Sequence, residues 1–174
     1  WFVSKNGVSK YLNGEFKNFT TKDGLKDNNI KCVTEDVEGN LFFGADGGGL
    51  IKFTNEDFVS YTKEDGIGSN VVMSILQDNN TNIWLTTYGD GVGVFTSKGY
   101  ESYTTNNGLG NNTVWCSLES KDKRYWVGTS NGFSVFNGTK FKTYNKKDGL
   151  DAKKVYALQE DNNGNIWIGT KEGV

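Results

Sequence analysis

Short runs in which apolar and polar residues alternate follow one another along this chain, with turn residues between them. Gly7-Val8-Ser9-Lys10-Tyr11 is one such run, and the Asn13-Gly14 pair after it is a hairpin signal. Ile30, Cys32 and Thr34 fall on one face of a strand, with Lys31, Val33 and Glu35 on the other. Leu41-Phe42-Phe43, Leu50-Ile51-Lys52-Phe53 and Phe58-Val59-Ser60-Tyr61 follow, and Asp65-Gly66-Ile67 closes the unit. No stretch carries an apolar period of about 3.6 residues long enough for a helix. The pattern predicts four short strands per unit.

The unit repeats. Trp1, Phe42, Trp84, Trp126 and Trp167 are spaced 41, 42, 42 and 41 residues apart. Four antiparallel strands in a period of about 40–45 residues read as a β-propeller blade. One blade leaves both sheet faces bare, and stacking blades covers them. The expected fold class is all-β, a β-propeller of four-stranded antiparallel blades with a 41–42-residue period. Residues 1–174 form one propeller segment of about four blade-equivalents, with partial blades at 1–20 and 153–174 and full blades at 28–62, 70–104 and 112–144. The ends could complement each other in a ring, pair between chains, or belong to an open arc cut from a longer chain.

The repeats can be compared with one another. Ile30, Val72, Val114 and Val155 hold one column, and Tyr11, Phe53, Phe95 and Phe136 another. Columns that recur in every unit read as packing between blades. Asp-Gly-Leu and its variants recur at Gly24, Gly66, Gly108 and Gly149, and read as turn elements with positive φ or no room for a Cβ. Acidic turns such as Asp36 to Asn40 lack the alternating oxygen ligands of a calcium loop and read as aspartates capping their own turns.

Composition removes several function classes. Net charge is −2 and Arg124 is the only arginine, so no basic field attracts nucleic acid. There is no His, which removes the commonest general base and metal ligand. No nucleophile elbow, triad, metal-spaced cysteine cluster or phosphate loop is present, so no catalytic residue, metal or cofactor is expected. Cys32 and Cys116 occupy one small-residue column with Ser74 and Ala157, two repeats apart, so an intrachain disulfide is not expected. No run reaches the roughly 18 apolar residues that would span a membrane.

Columns that vary are where function is expected. On the innermost strand Lys31, Met73, Trp115 and Tyr156 differ from unit to unit, near the central channel of a propeller. The loop after the second strand varies too, through Asp46, Tyr88 and Asp90. Tyr88 and Asp90 suggest an aromatic platform with a polar partner, suited to a sugar or peptide. Candidate ligand-binding residues are therefore Tyr88, Asp90, Asp46, Trp115, Tyr156 and Lys31.

The succession of Asp-Gly-Leu, a Val-centred strand, Glu-Asp, Gly-Asn, Ile-Trp-Ile-Gly-Thr and a Gly-hydrophobic pair, cleanest over Lys147 to Val174, resembles the two-component regulator propeller repeat. Departures are Phe42 for Trp, Thr86 for Gly, and the turn at Ser120 to Arg124. The resemblance implies the extracytoplasmic, periplasmic or cell-surface, sensor region of a bacterial receptor, often a hybrid histidine kinase. It further implies part of a larger, seven-bladed type of propeller, with the membrane reached only through other parts of the parent chain. It also implies signal input without catalysis in this segment, with an oligosaccharide or other small ligand as partner. Two alternatives stand beside this: a polysaccharide lyase or hydrolase fragment, and a protein–protein scaffold that self-associates through blade edges. No nucleic-acid partner is expected.

Overall fold

The computed structural model describes residues 1–174. Five antiparallel sheets follow one another in chain order. The first holds β1 (Phe2–Ser4), β2 (Gly7–Leu12) and β3 (Glu15–Phe19). The second holds β4 (Ile30–Glu35), β5 (Leu41–Ala45), β6 (Leu50–Thr54) and β7 (Asp57–Tyr61). The third holds β8 (Val72–Gln77), β9 (Ile83–Thr87), β10 (Val92–Thr96) and β11 (Gly99–Tyr103), and the fourth β12 (Val114–Glu119), β13 (Tyr125–Thr129), β14 (Gly132–Phe136) and β15 (Phe141–Tyr144). The fifth holds β16 (Val155–Glu160) and β17 (Ile166–Thr170). The all-β propeller architecture expected from the repeat is the one observed.

Local chemistry makes each turn. Asn13 and Gly14 both have positive φ, 54° and 89°, which matches the twist of the β2–β3 hairpin. In the turn after β4, Asp36 Oδ1 accepts the amides of Glu38 and Asn40 at 3.0 and 2.8 Å, and its Oδ2 accepts Asn40 Nδ2 at 2.8 Å. Asp78 adds the indole Nε1 of Trp84, at 2.8 Å. The aspartates are thus spent on their own turns. The Asp-Gly-Leu elements are single 3₁₀ turns, with a capping box between Thr20 and Asp23 and a left-handed Gly24 at φ 104°. Leu25, Ile67 and Leu109 then fold back into the core.

The inner strands stand side by side, β4 on β8, β8 on β12 and β12 on β16, and β1 packs on β4. Hydrophobic clusters fill the seams. Val8, Phe19, Leu25 and Phe43 gather in the first seam, Phe42, Leu50, Ile67, Val72 and Leu85 in the second, and Trp84, Leu109, Val114, Tyr125 and Phe141 in the third. Trp84 stacks on Tyr125 of the next sheet at 4.1 Å. Burying each such side chain contributes about 1.5–3 kcal/mol. Polar stitches cross the seams as well: Gln77 accepts the amide of Val37 at 2.8 Å, and Glu160 accepts that of Lys121 at 2.6 Å.

The outermost faces of the first and last sheets have no sheet against them. Phe2, Tyr11 and Phe16 are exposed at one end, and Trp167 is 54% exposed at the other. Both cysteines are free thiols.

Candidate functional site

Each complete inner strand carries a β-bulge at the same place. Pairing runs Ile30 to Ala45 and then Cys32 to Gly44, skipping Lys31. It skips Met73, Trp115 and Tyr156 in the same way. A bulged residue leaves the ordinary in–out alternation, and its side chain is re-aimed. Here the bulge aims the variable column at the loops that follow the second strands.

Those loops are held by backbone bonds on both sides. The amides of Asp46, Tyr88 and Ser130 donate to the carbonyls of Asn29, Val71 and Thr113 in their own sheets, at 2.8, 3.1 and 3.0 Å. The amides of Gly47, Gly89 and Gly132 donate to Asn70, Asn112 and Lys153 of the following sheets, at 2.8, 3.1 and 2.7 Å. The loops are therefore fixed parts of the seams.

On this frame the column and loop residues meet. Lys31 Nζ lies 2.9 Å from Asp46 Oδ2, which also accepts Asn29 Nδ2 at 3.0 Å. The Tyr88 ring meets Trp115 edge-on, with centroids 5.8 Å apart. Trp115 meets Tyr156 at 5.3 Å, and its Nε1 donates to Ser130 Oγ at 3.0 Å. Lys31, Asp46, Val71, Met73, Tyr88 and Trp115 line one cavity of about 480 Å³. Tyr156 extends its aromatic side onto the fifth sheet, and both tyrosines are exposed.

Five of the six candidate residues thus come together. Asp90 does not: it lies 3.6 Å from Lys63 and does not line the cavity. The charged groups that share this cavity with Tyr88 are the Lys31–Asp46 pair. Sequence reasoning found the column but missed the bulge that aims it, and missed Val71 in the wall. Ser130, which takes the Trp115 indole, was not among the candidates. Nothing in a strand's residue pattern marks a bulge when both flanking columns stay apolar or small.

Chemically, the cavity offers aromatic faces and a carboxylate already paired with an ammonium. Such a surface holds a ligand that has an apolar face and a polar rim. No helix of the structure is long and apolar enough to cross a membrane.

A model of the two-component regulator propeller matches residues 66–89, 108–131 and 149–172. Each match begins on the glycine of a 3₁₀ turn and runs through the bulged strand into the loop beyond β9, β13 or β17. These three stretches are two-component regulator propeller repeats. Solved structures agree on this propeller fold. The extracellular domain of a protein described as the hybrid two-component system BT3049 of B. thetaiotaomicron superposes with a TM-score of 0.81 at 24% identity, over 91% of this chain and 23% of that one. That of BT4673 from the same organism gives 0.82 at 19%, over 98% and 27%. Virginiamycin B lyase of Staphylococcus aureus gives 0.74 at 15%, over 98% and 61%. The chain spans about a quarter of the length of the first two. No curated protein matches in sequence. At these identities the superpositions speak for the fold alone.

Proposed function

We propose that this chain is an extracytoplasmic ligand-sensing segment of a bacterial two-component sensor, that it is non-catalytic, and that it binds a saccharide in the cavity floored by Trp115. The observation that carries this reading is the bulge. It sits in each of the four inner strands β4, β8, β12 and β16, yet the residue placed on it changes from Lys31 to Met73, Trp115 and Tyr156. A scaffold that holds position constant while varying chemistry suits recognition. Tyr88 and Trp115, with Tyr156 beside Trp115, supply faces for the C–H side of a sugar ring, and Lys31 and Asp46 supply a polar rim for its hydroxyls. The repeat family and the extracellular two-component domains of like fold support the sensing role and the location.

The lyase neighbour favours a second reading, catalysis on the same fold. A histidine-to-alanine form of that lyase is catalytically inactive, and this chain has no His. Calorimetric titration with a panel of neutral and acidic oligosaccharides, paired with a reducing-end assay, separates the two. Saturable heat without new reducing ends is the expected result. New reducing ends would overturn the non-catalytic reading, and no heat with any saccharide would overturn the choice of ligand.

A further inference from the structure

A second recess lies at the opposite ends of the strands. It sits in the seam between the third and fourth sheets and measures about 770 Å³. Its rim comes from the turn β8–β9, the turn β12–β13, the turn β14–β15 and the outer strand β15. Lys123, Arg124 and Lys142 line it together with Asn80, Asn82 and Asn137, and no carboxylate does. In a chain of net charge −2, three cations around one recess need an explanation.

Comparison with the first seam supplies it. The corresponding recess there is lined by Glu35 and Glu38, against Lys10 alone. Repeat by repeat, Arg124 replaces Asn40, Lys123 replaces Gly39 and Lys142 replaces Val59. The turn that carries the first two has also exchanged its capping aspartate for Ser120, whose Oγ takes the Trp126 indole at 3.0 Å. That exchange removes the carboxylate which would otherwise bond position 124 as Asp36 bonds Asn40. Arg124 is instead laid over the Trp126 ring, 5.1 Å from its centroid, and braced by Asp122 at 2.7 Å. Asp122 offsets one of the three charges and leaves Lys123 and Lys142 uncompensated. Asn80 and Asn137 add amide donors to the same rim.

We propose that this recess binds an oxyanion group, a sulfate ester, phosphate or carboxylate carried by a ligand, clamped between Lys123 and Lys142 with Arg124 held in position beside them. Charge-assisted bonds from ammonium and guanidinium to an oxyanion are the strong ones, and asparagine amides complete such a shell. The site is independent of the Trp115 cavity, which opens at the other strand ends.

The test replaces chloride by sulfate, phosphate or a galacturonate dimer at constant ionic strength and follows amide and side-chain NMR shifts. Saturable shifts are expected on Lys123, Arg124, Asn137 and Lys142. Lys142→Gln, on a regular strand, and Lys123→Gln should each weaken binding roughly tenfold. Lys98→Gln, an exposed lysine in the β10–β11 turn that does not line the recess, should leave it unchanged. The preferred anion identifies the source: tetrahedral anions alone point to sulfate or phosphate, the dimer to a uronate. Shifts that spread evenly over surface lysines, equal loss in Lys98→Gln, or full binding by both lysine variants would overturn the proposal. Thermal unfolding confirms that each variant is folded.

Discussion

Trp84 and Trp115 lie in neighbouring sheets and do opposite work. Trp84 stands in a column that recurs in nearly every repeat. It is 6% exposed, stacked on Tyr125, with its indole N–H on Asp78. Trp115 stands on a bulge in a column that never repeats, half-buried between Tyr88 and Tyr156, with its N–H on Ser130. Both indoles are satisfied and both rings touch aromatics. What separates them is the surface they face, a closed seam or an open cavity. Repetition therefore marks where the fold is held together, and variation on a fixed bulge marks where we propose that it meets a ligand.

The largest expected effect comes from breaking a seam. Trp84→Ala should lower stability by about 3–5 kcal/mol in denaturant unfolding, because the cavity left between two sheets has no way to collapse. A loss within about 1 kcal/mol would place Trp84 outside the core. Overpacking comes next. A Cβ on Gly128 would lie 2.7 Å from the Val155 carbonyl oxygen and 2.6 Å from Cys116 Sγ. Gly128→Ala should therefore cost about 1–3 kcal/mol, whereas Gly138→Asn, at a turn with open space around it, should cost much less. Unchanged unfolding of Gly128→Ala would show that the seam yields.

Trp167 sharpens the comparison further. It has the sequence context of Trp84 and the same indole bond, here to Asp161 at 3.0 Å, but it is 54% exposed in the last sheet. Trp167→Ala should cost no more than about 1 kcal/mol. A loss as large as that of Trp84→Ala would mean that this face is covered in solution, which light scattering would show as self-association.

Two smaller effects concern titration. Hydrogen bonds from Arg124 and then Ser120 hold the Asp122 carboxyl at about 2, below its ordinary 3.8. A lowered carboxylate pKa contributes stability above the unfolded value, and this contribution fades as pH falls from about 4 toward 2. Side-chain NMR should show Asp122 ionised down to about pH 2, and Arg124→Gln should raise its titration toward 3.8. Titration near 3.8 in the parent chain would sink the Arg124 brace. Burial pushes Cys32 up to about 12 and Cys116 to about 11. Both thiols should react with a thiol reagent at neutral pH only after unfolding.

Much of this was legible in the sequence. The 41–42-residue spacing of the tryptophans and the alternation of the strands gave the blades, because packing demands repeat with the repeat. The column of Lys31, Met73, Trp115 and Tyr156 was visible for the opposite reason, its failure to repeat. Asp90, read as the polar partner of Tyr88, does not line its cavity. Asp90 is two residues away in sequence, but the loop turns it toward Lys63, while Asp46 reaches the cavity from another sheet. The bulge was not visible either, since Ile30 and Cys32 read as ordinary in-facing residues around it. Pairing across strands and seams decides both, and a single chain's residue pattern does not encode that pairing locally.

The central claim is that ligand recognition resides in the bulged column and not in exposed aromatic surface generally. Titration of Trp115→Ala and Trp167→Ala with the saccharide that gives most heat on the parent chain tests it directly. The account predicts that binding is lost in Trp115→Ala and kept in Trp167→Ala, with both variants folded. Binding kept in Trp115→Ala, or lost equally in the two, would contradict it.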